Sequence, residues 1–146
     1  MYQKILVPLD GSKLAEVALP HAESLATRYN ATLIFISVIN PPIINDRDAN
    51  ATELYQQQLD TLRKDTEIYL KGVQGVFKEK NIKSEFLMTQ GPVVEGIVHT
   101  ADSLSVDLVL IASHGRTGLM RVFFGSVAAG VLNRIEQPLM VIRCAE

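Results

Sequence analysis

The segment SHGRTGLMRVFFGS, Ser113–Ser126, follows the most apolar run of the chain, VDLVLIA, and places Gly115, Gly118 and Gly125 ahead of Ser126. Glycine has no Cβ, so its amide can face a bulky anion at close range and its backbone can take positive φ. Gly115 stands where the chain must turn out of the apolar run. Gly125 stands immediately before a helical pattern. A helix N-terminus presents free amides and the positive end of the helix dipole, which together make an anion site. Ser126 brings a hydroxyl that can cap the helix or meet a phosphate. Arg116 and Arg121 bring positive charge between the glycines, while Val127 and Ala128 keep the first turn open. The chemistry on offer is phosphate binding. The same residues also make a plain turn followed by a capped helix, and spacing alone leaves both readings standing. Neither G-x-x-x-x-G-K-[ST] nor G-x-G-x-x-G occurs. No lysine follows Gly125 to lean on a terminal phosphate, which argues against rapid nucleotide hydrolysis and for a binding protein over an enzyme.

These residues need strands and helices to hold them. KILVPL (Lys4–Leu9) is a short apolar run closed by the turn cluster Asp10-Gly11-Ser12, so a buried strand ends at Asp10. On sequence alone Asp10 is a turn or cap aspartate. Ala15, Ala18, Leu19, Ala22, Leu25, Ala26 and Tyr29 have helical spacing with Ser12 placed as the cap. Pro20 falls inside that pattern, and an interior proline costs about 3 kcal/mol, so a kink is expected there. Ala31–Ile39 is a second buried strand. The stretch NPPIINDRDANA then breaks all periodicity and is expected to be a partly ordered flap over the end of that strand. Tyr55, Leu59, Leu62, Thr66, Tyr69, Val73 and Val76 give the next helix one apolar face, weakened at its end by Gly72 and Gly75. A third strand covers IKSEFLMTQ. A helix opening on Gly91-Pro92 follows, its proline suited to the first turn. VDLVLIA is the fourth strand, a helix starts near Ser126, and Pro138–Arg143 is the fifth strand. Strands that are apolar throughout and alternate with helices predict an α/β layer sandwich around a parallel sheet covered on both faces. In such sheets ligands bind beyond the carboxyl ends of the strands, where the strand order reverses.

Composition narrows the partners. The 146 residues suit one domain, the formal net charge is −2 and no basic block stands out, which gives no footing for nucleic acid. No apolar run approaches the roughly 20 residues that span a bilayer, and the apolar core of the N-terminal segment is too short for a signal peptide. A cytoplasmic protein with no membrane partner is expected. The single cysteine, Cys144, cannot form an internal disulfide and is read as a bystander. His114 has no evident Ser or Cys nucleophile beside it and no metal-ligand spacing around it. His21 and His99 fall on separate helices. Tyr55 and Tyr69 are read as helix core residues.

The run SHGRTGLMRVFFGSVAAGVLNRIEQPLMVIR resembles the C-terminal signature of the universal stress protein family. Nucleotide-binding members of that family carry G-x2-G-x9-G-[ST]. Here Gly115, nine intervening residues and Gly125-Ser126 match its second half, and Ala112 stands where the first glycine would be. The N-terminal KILVPLDGS is similar to the family's first strand and acidic turn. The likeness covers nearly the whole chain, as one universal stress protein domain over residues 1–146. It implies a three-layer α/β sandwich with a five-stranded parallel sheet in the order 3-2-1-4-5. It implies binding of ATP, or of ADP, AMP or a cyclic nucleotide, with Mg2+ as an optional companion, in a homodimeric stress-response or signalling module.

Carried over by residue, the resemblance puts Pro8, Leu9 and Asp10 near the adenosine, with Asp10 on the ribose. Val38 offers backbone groups to the adenine edge. Ala112, Gly115, Arg116, Gly125, Ser126 and Val127 wrap the phosphates. Gly125→Val is then expected to block the phosphates and leave the fold intact. The last strand, Pro138–Arg143, becomes a sheet edge that pairs with a second copy. Two other classes fit the same pattern: a dimeric interaction protein with an empty or vestigial nucleotide site, and a flavin-type electron carrier, the latter disfavoured by the absence of tryptophan.

Overall fold

Period-two burial along each strand divides the apolar side chains into two sets. Ile5, Val7, Leu9, Leu33, Phe35, Leu108 and Leu110 face one way, and Leu6, Ile34, Ile36, Val109 and Ile111 face the other. A strand buried on both faces is the mark of a parallel sheet with helices above and below, and the computed structural model has that arrangement. It describes residues 1–41, 50–114 and 125–144. Along the chain come β1 (Lys4–Pro8), a 3-10 turn (Ala15–Ala18), α1 (Leu19–Tyr29), β2 (Thr32–Ile39), α2 (Ala51–Glu79), β3 (Ser84–Gln90), α3 (Val93–Ser103), β4 (Leu108–Ala112), α4 (Ser126–Arg134) and β5 (Leu139–Ile142). The strands pair in parallel in the order β3-β2-β1-β4-β5. Ala22 and Ala26 of α1, with Leu70 and Phe77 of α2, close the first face. Ile97 and Ala101 of α3, with Val131 of α4, close the second.

This is the sheet order that the resemblance implies. Strand order turns around at β1, with β2 on one side and β4 on the other. A crevice therefore opens beyond the carboxyl ends of β1 and β4. The amino end is locked separately: the Asp107 carboxylate, just before β4, accepts the N–H groups of Gln3 and Lys4 at 2.8 Å each.

Three local expectations are corrected. Pro20 causes no interior kink, because the preceding 3-10 turn lets α1 start at Leu19 and puts Pro20 in its first turn. There its missing N–H has no intrahelical acceptor to lose. Ser12 caps the 3-10 turn instead of α1: Ala15 N–H donates to its hydroxyl at 3.2 Å, and α1 has no side-chain cap. On α2, Val76 is half exposed and Phe77 is buried in its place, with Leu59 and Leu70. A long straight helix drifts relative to any strict repeat, so the face that meets the sheet near the C-terminal end is not the one extrapolated from Tyr55. Gly72 and Gly75 do not end the helix, which runs on to Glu79. Most of the expected flap, residues 42–49, lies outside the described residues.

Candidate nucleotide site at the carboxyl ends of the strands

The loop after β1 supplies the first wall. Pro8 ends the strand, and buried Leu9 continues its line by donating its N–H to the Ile36 carbonyl at 2.8 Å. The Leu9 carbonyl accepts the buried Ser37 hydroxyl at 2.6 Å. Gly11 then takes φ 85°, a value that favours glycine. This turn presents Asp10, whose Oδ1 accepts both the backbone N–H of Ser12 at 2.9 Å and its hydroxyl at 2.5 Å. The carboxylate is half-buried and held in a fixed direction.

Val38 stands one residue before the end of β2. The last β1 partner on β2 is Ile36, whose carbonyl points toward β1. Peptide groups alternate sides along a strand, so those of Val38 also face the β1 side, two residues past that last pair. Sequence reasoning placed Val38 at the adenine edge by resemblance alone; the ladder supplies a physical reason.

The second wall is the exit of β4. Ala112 is the last residue of β4, buried and paired with Ile142. Gly115 and Arg116, with Gly118 and Arg121, lie outside the described residues. Gly125 has an ordinary φ of −57°, so positive φ is not what it is needed for. Its N–H donates to the Ser113 carbonyl at 2.7 Å, and a Cβ built on it would stand 2.9 Å from that oxygen and 3.5 Å from His114 Cα. The glycine is required by backbone packed on backbone, a signal that spacing does not carry. Gly125 is the N-cap of α4 and Ser126 its first residue, exposed and making no cap bond. The expected Ser126 cap is therefore corrected. Among the described residues the first turn of α4, which includes Val127, has no side-chain cap.

Ser113 is the residue that sequence reasoning missed. It is buried, and it gathers the chain ends at this corner. Its N–H donates to Ile142 O at 2.8 Å and its carbonyl accepts Gly125. Its hydroxyl sits 2.9 Å from His114 Nδ1 and accepts the Cys144 N–H at 3.1 Å. His114 thus does have a serine beside it, but one buried and committed to structure. The Cys144 thiol donates to the Leu14 carbonyl at 3.5 Å, tying the exit of β5 to the loop after β1. Tyr69, read as a core residue, is half-buried, and its hydroxyl reaches the same end of the sheet. Burial pushes its pKa up, and the carboxylates of Glu16 and then Asp10 push it further. Among the described residues there is no group of three or more His, Cys, Asp or Glu side chains that could hold a metal ion, and no helix is long and apolar enough to cross a membrane.

The model of the universal stress protein family matches residues 1–143. Universal stress protein MJ0577 of Methanocaldococcus jannaschii is 27% identical, with 98% of this chain and 96% of the relative aligned. The solved structure of MJ0577 superposes with a TM-score of 0.88 over 100% of this chain and 99% of that one. A universal stress protein solved in complex with cAMP has a TM-score of 0.64 at 22% identity, covering 99% of this chain and 98% of its own. One from Archaeoglobus fulgidus, in complex with dAMP, has a TM-score of 0.67 at 20% identity, covering 97% and 98%. The match along almost the entire sequence, on a sheet of the same order, means that this chain belongs to the universal stress protein family.

Proposed function

We propose that this chain binds an adenine nucleotide in the crevice between the β1 loop and the N-terminus of α4, acting as a homodimeric cytoplasmic stress-response or signalling module built from a single domain. The observation that carries the reading is the convergence, at the strand-order reversal, of a fixed carboxylate, Asp10, with a helix N-terminus that no side chain among the described residues caps. A carboxylate accepts the two hydroxyls of a ribose, and uncapped amides bind phosphate. Asp10 takes the sugar, with Pro8 and Leu9 as the floor. The β1-facing peptide of Val38 takes the adenine edge. Ala112, Gly125, Ser126 and Val127 line the phosphates, with Gly115 and Arg116 completing the set. The family members in complex with cAMP and dAMP support an adenine nucleotide, and ATP, ADP, AMP and cyclic forms share the groups this crevice addresses. A Mg2+ ion would rest chiefly on phosphate oxygens and water. With no lysine after Gly125 to lean on a terminal phosphate, the reading is a binder with at most weak hydrolysis.

A second reading has its own support. The packing of Gly125 on Ser113 accounts for that glycine without any ligand, as a vestigial site in a dimeric interaction protein would require. Mass analysis of small molecules released from freshly purified protein, with calorimetric titration of ATP, AMP and cAMP, decides between them. Copurified adenine nucleotide or saturable binding supports the first reading; no ligand and no heat of binding leaves the second.

A further inference from the structure

Resting on the adenine-nucleotide reading, we propose that His114 is a further ligand-binding residue. Its Nε2–H donates to a phosphate oxygen at the first turn of α4, with Ser113 as the positioning residue that fixes the ring.

The hydrogen bonds decide where the imidazole proton sits. Ser113 Oγ already accepts the Cys144 N–H at 3.1 Å, and it lies 2.9 Å from His114 Nδ1. Among the described residues no other acceptor receives the Ser113 hydroxyl proton. In the proposed arrangement the hydroxyl donates to Nδ1. A neutral imidazole that accepts at Nδ1 carries its proton at Nε2. That nitrogen is buried and has no partner among the described residues. An unmade buried donor is costly.

Its location gives the cost a use. The ring carbon bonded to Nε2, Cδ2, lies 3.8 Å from where a Cβ on Gly125 would stand, so this edge of the imidazole lies against the N-cap of α4. Among the described residues no side chain caps the α4 amides. An orphaned ring donor and a set of helix amides thus meet at one point from two independent elements. Both call for the same partner, a group offering several anionic oxygens, which is the chemistry of a phosphoryl group. The residue lies inside the signature, yet its neighbours in sequence gave no partner for it. The bond from Cys144, which arrives from the exit of β5, is what exposes the tautomer.

The test is a titration of wild-type protein labelled with 15N-histidine, once with ATP and once with inorganic triphosphate, following the His114 Nε2 signal. Both ligands are expected to move it. ATP binding with an unmoved signal overturns the proposal and leaves the nucleotide reading standing. Triphosphate moving the signal with no ATP binding supports the proposal and overturns the nucleotide reading. Failure of both ligands to bind overturns both. Variants read the same question by affinity. Gln places an amide donor near the Nε2 position and Asn near the Nδ1 position. His114→Asn is expected to weaken ATP about ten- to a hundredfold, the range for a hydrogen bond to a charged group, with adenosine unaffected. His114→Gln is expected to keep most of the ATP affinity. The reverse ranking, with Asn retained and Gln lost, would mean that only the Ser113 contact matters and would overturn the proposal.

Discussion

The backbone N–H of Gly125 donates to the carbonyl of Ser113 at 2.7 Å. Eleven residues of sequence separate these two partners, and the bond sets the first turn of α4 beside the end of β4. The contact leaves 2.9 Å for any Cβ at position 125.

Gly125→Ala is therefore expected to act on stability before it acts on any ligand. Overpacking against a backbone carbonyl costs about 1–3 kcal/mol, so thermal unfolding should drop by several degrees. Gly125→Val should drop it further, a correction to the expectation that the fold would be left intact. A Tm equal to wild type for Gly125→Ala would mean that the strap between Ser113 and Gly125 yields without cost.

Asp10→Ala is expected to lower ATP affinity about ten- to a hundredfold, the loss of a charge-assisted hydrogen bond. The Asp10 carboxylate also holds Ser12, so Ser12→Ala is the control that loosens the turn and keeps the carboxylate. Calorimetry of both should rank Asp10→Ala as the weaker binder. Equal losses would assign the effect to loop shape.

Ser126→Ala should leave the unfolding free energy within about 0.5 kcal/mol of wild type, as an exposed position away from any cap, because Gly125 and not Ser126 is the N-cap. Any loss of ATP affinity then belongs to the hydroxyl on the phosphate. A stability loss of cap size, about 1 kcal/mol in denaturant unfolding, would contradict the helix start seen here.

Val141→Pro tests the edge. The carbonyls of Pro138 and Ile142 point toward β4, so by alternation the N–H groups of Leu139 and Val141 point outward. Proline at Val141 removes an outward donor and leaves the β4–β5 ladder its bonds, as edge positions allow. The expected outcome in analytical ultracentrifugation is conversion of a dimer to a folded monomer. A variant that stays dimeric at micromolar concentration places the contact elsewhere.

Asp107 governs a pH dependence. The N–H groups of Lys4 and Gln3 hold its carboxyl below the usual carboxylate range. A depressed folded pKa gives stability that is present above the unfolded value, near about 3.9, and is lost as pH falls through the folded value. The Tm gap between wild type and Asp107→Ala should be constant from neutral pH to about pH 5 and narrow below about pH 4. A gap that widens on acidification would contradict this sign.

The strands, their parallel packing and the helices between them were legible in the chain, because burial on both faces forces residues such as Ile5, Leu6 and Val7 to be apolar without alternation. The family likeness pointed to the same strand order and to the β1 and β4 loops. What single residues do inside those loops was decided by tertiary structure. Pro20 reads as a helix breaker until a 3-10 turn moves the helix start. Ser126 reads as a cap until Gly125 takes that place, and the Ser113 carbonyl packed against Gly125 gives a reason for that glycine that spacing does not carry. Ser113 gave no signal in sequence because its partners, His114, Gly125, Ile142 and Cys144, come from three different elements. Periodicity records how a residue meets solvent or core along its own element. It holds no information on which backbone atom another element will bring within 3 Å, and that distance is what fixes a capping residue, a tautomer or the need for a glycine.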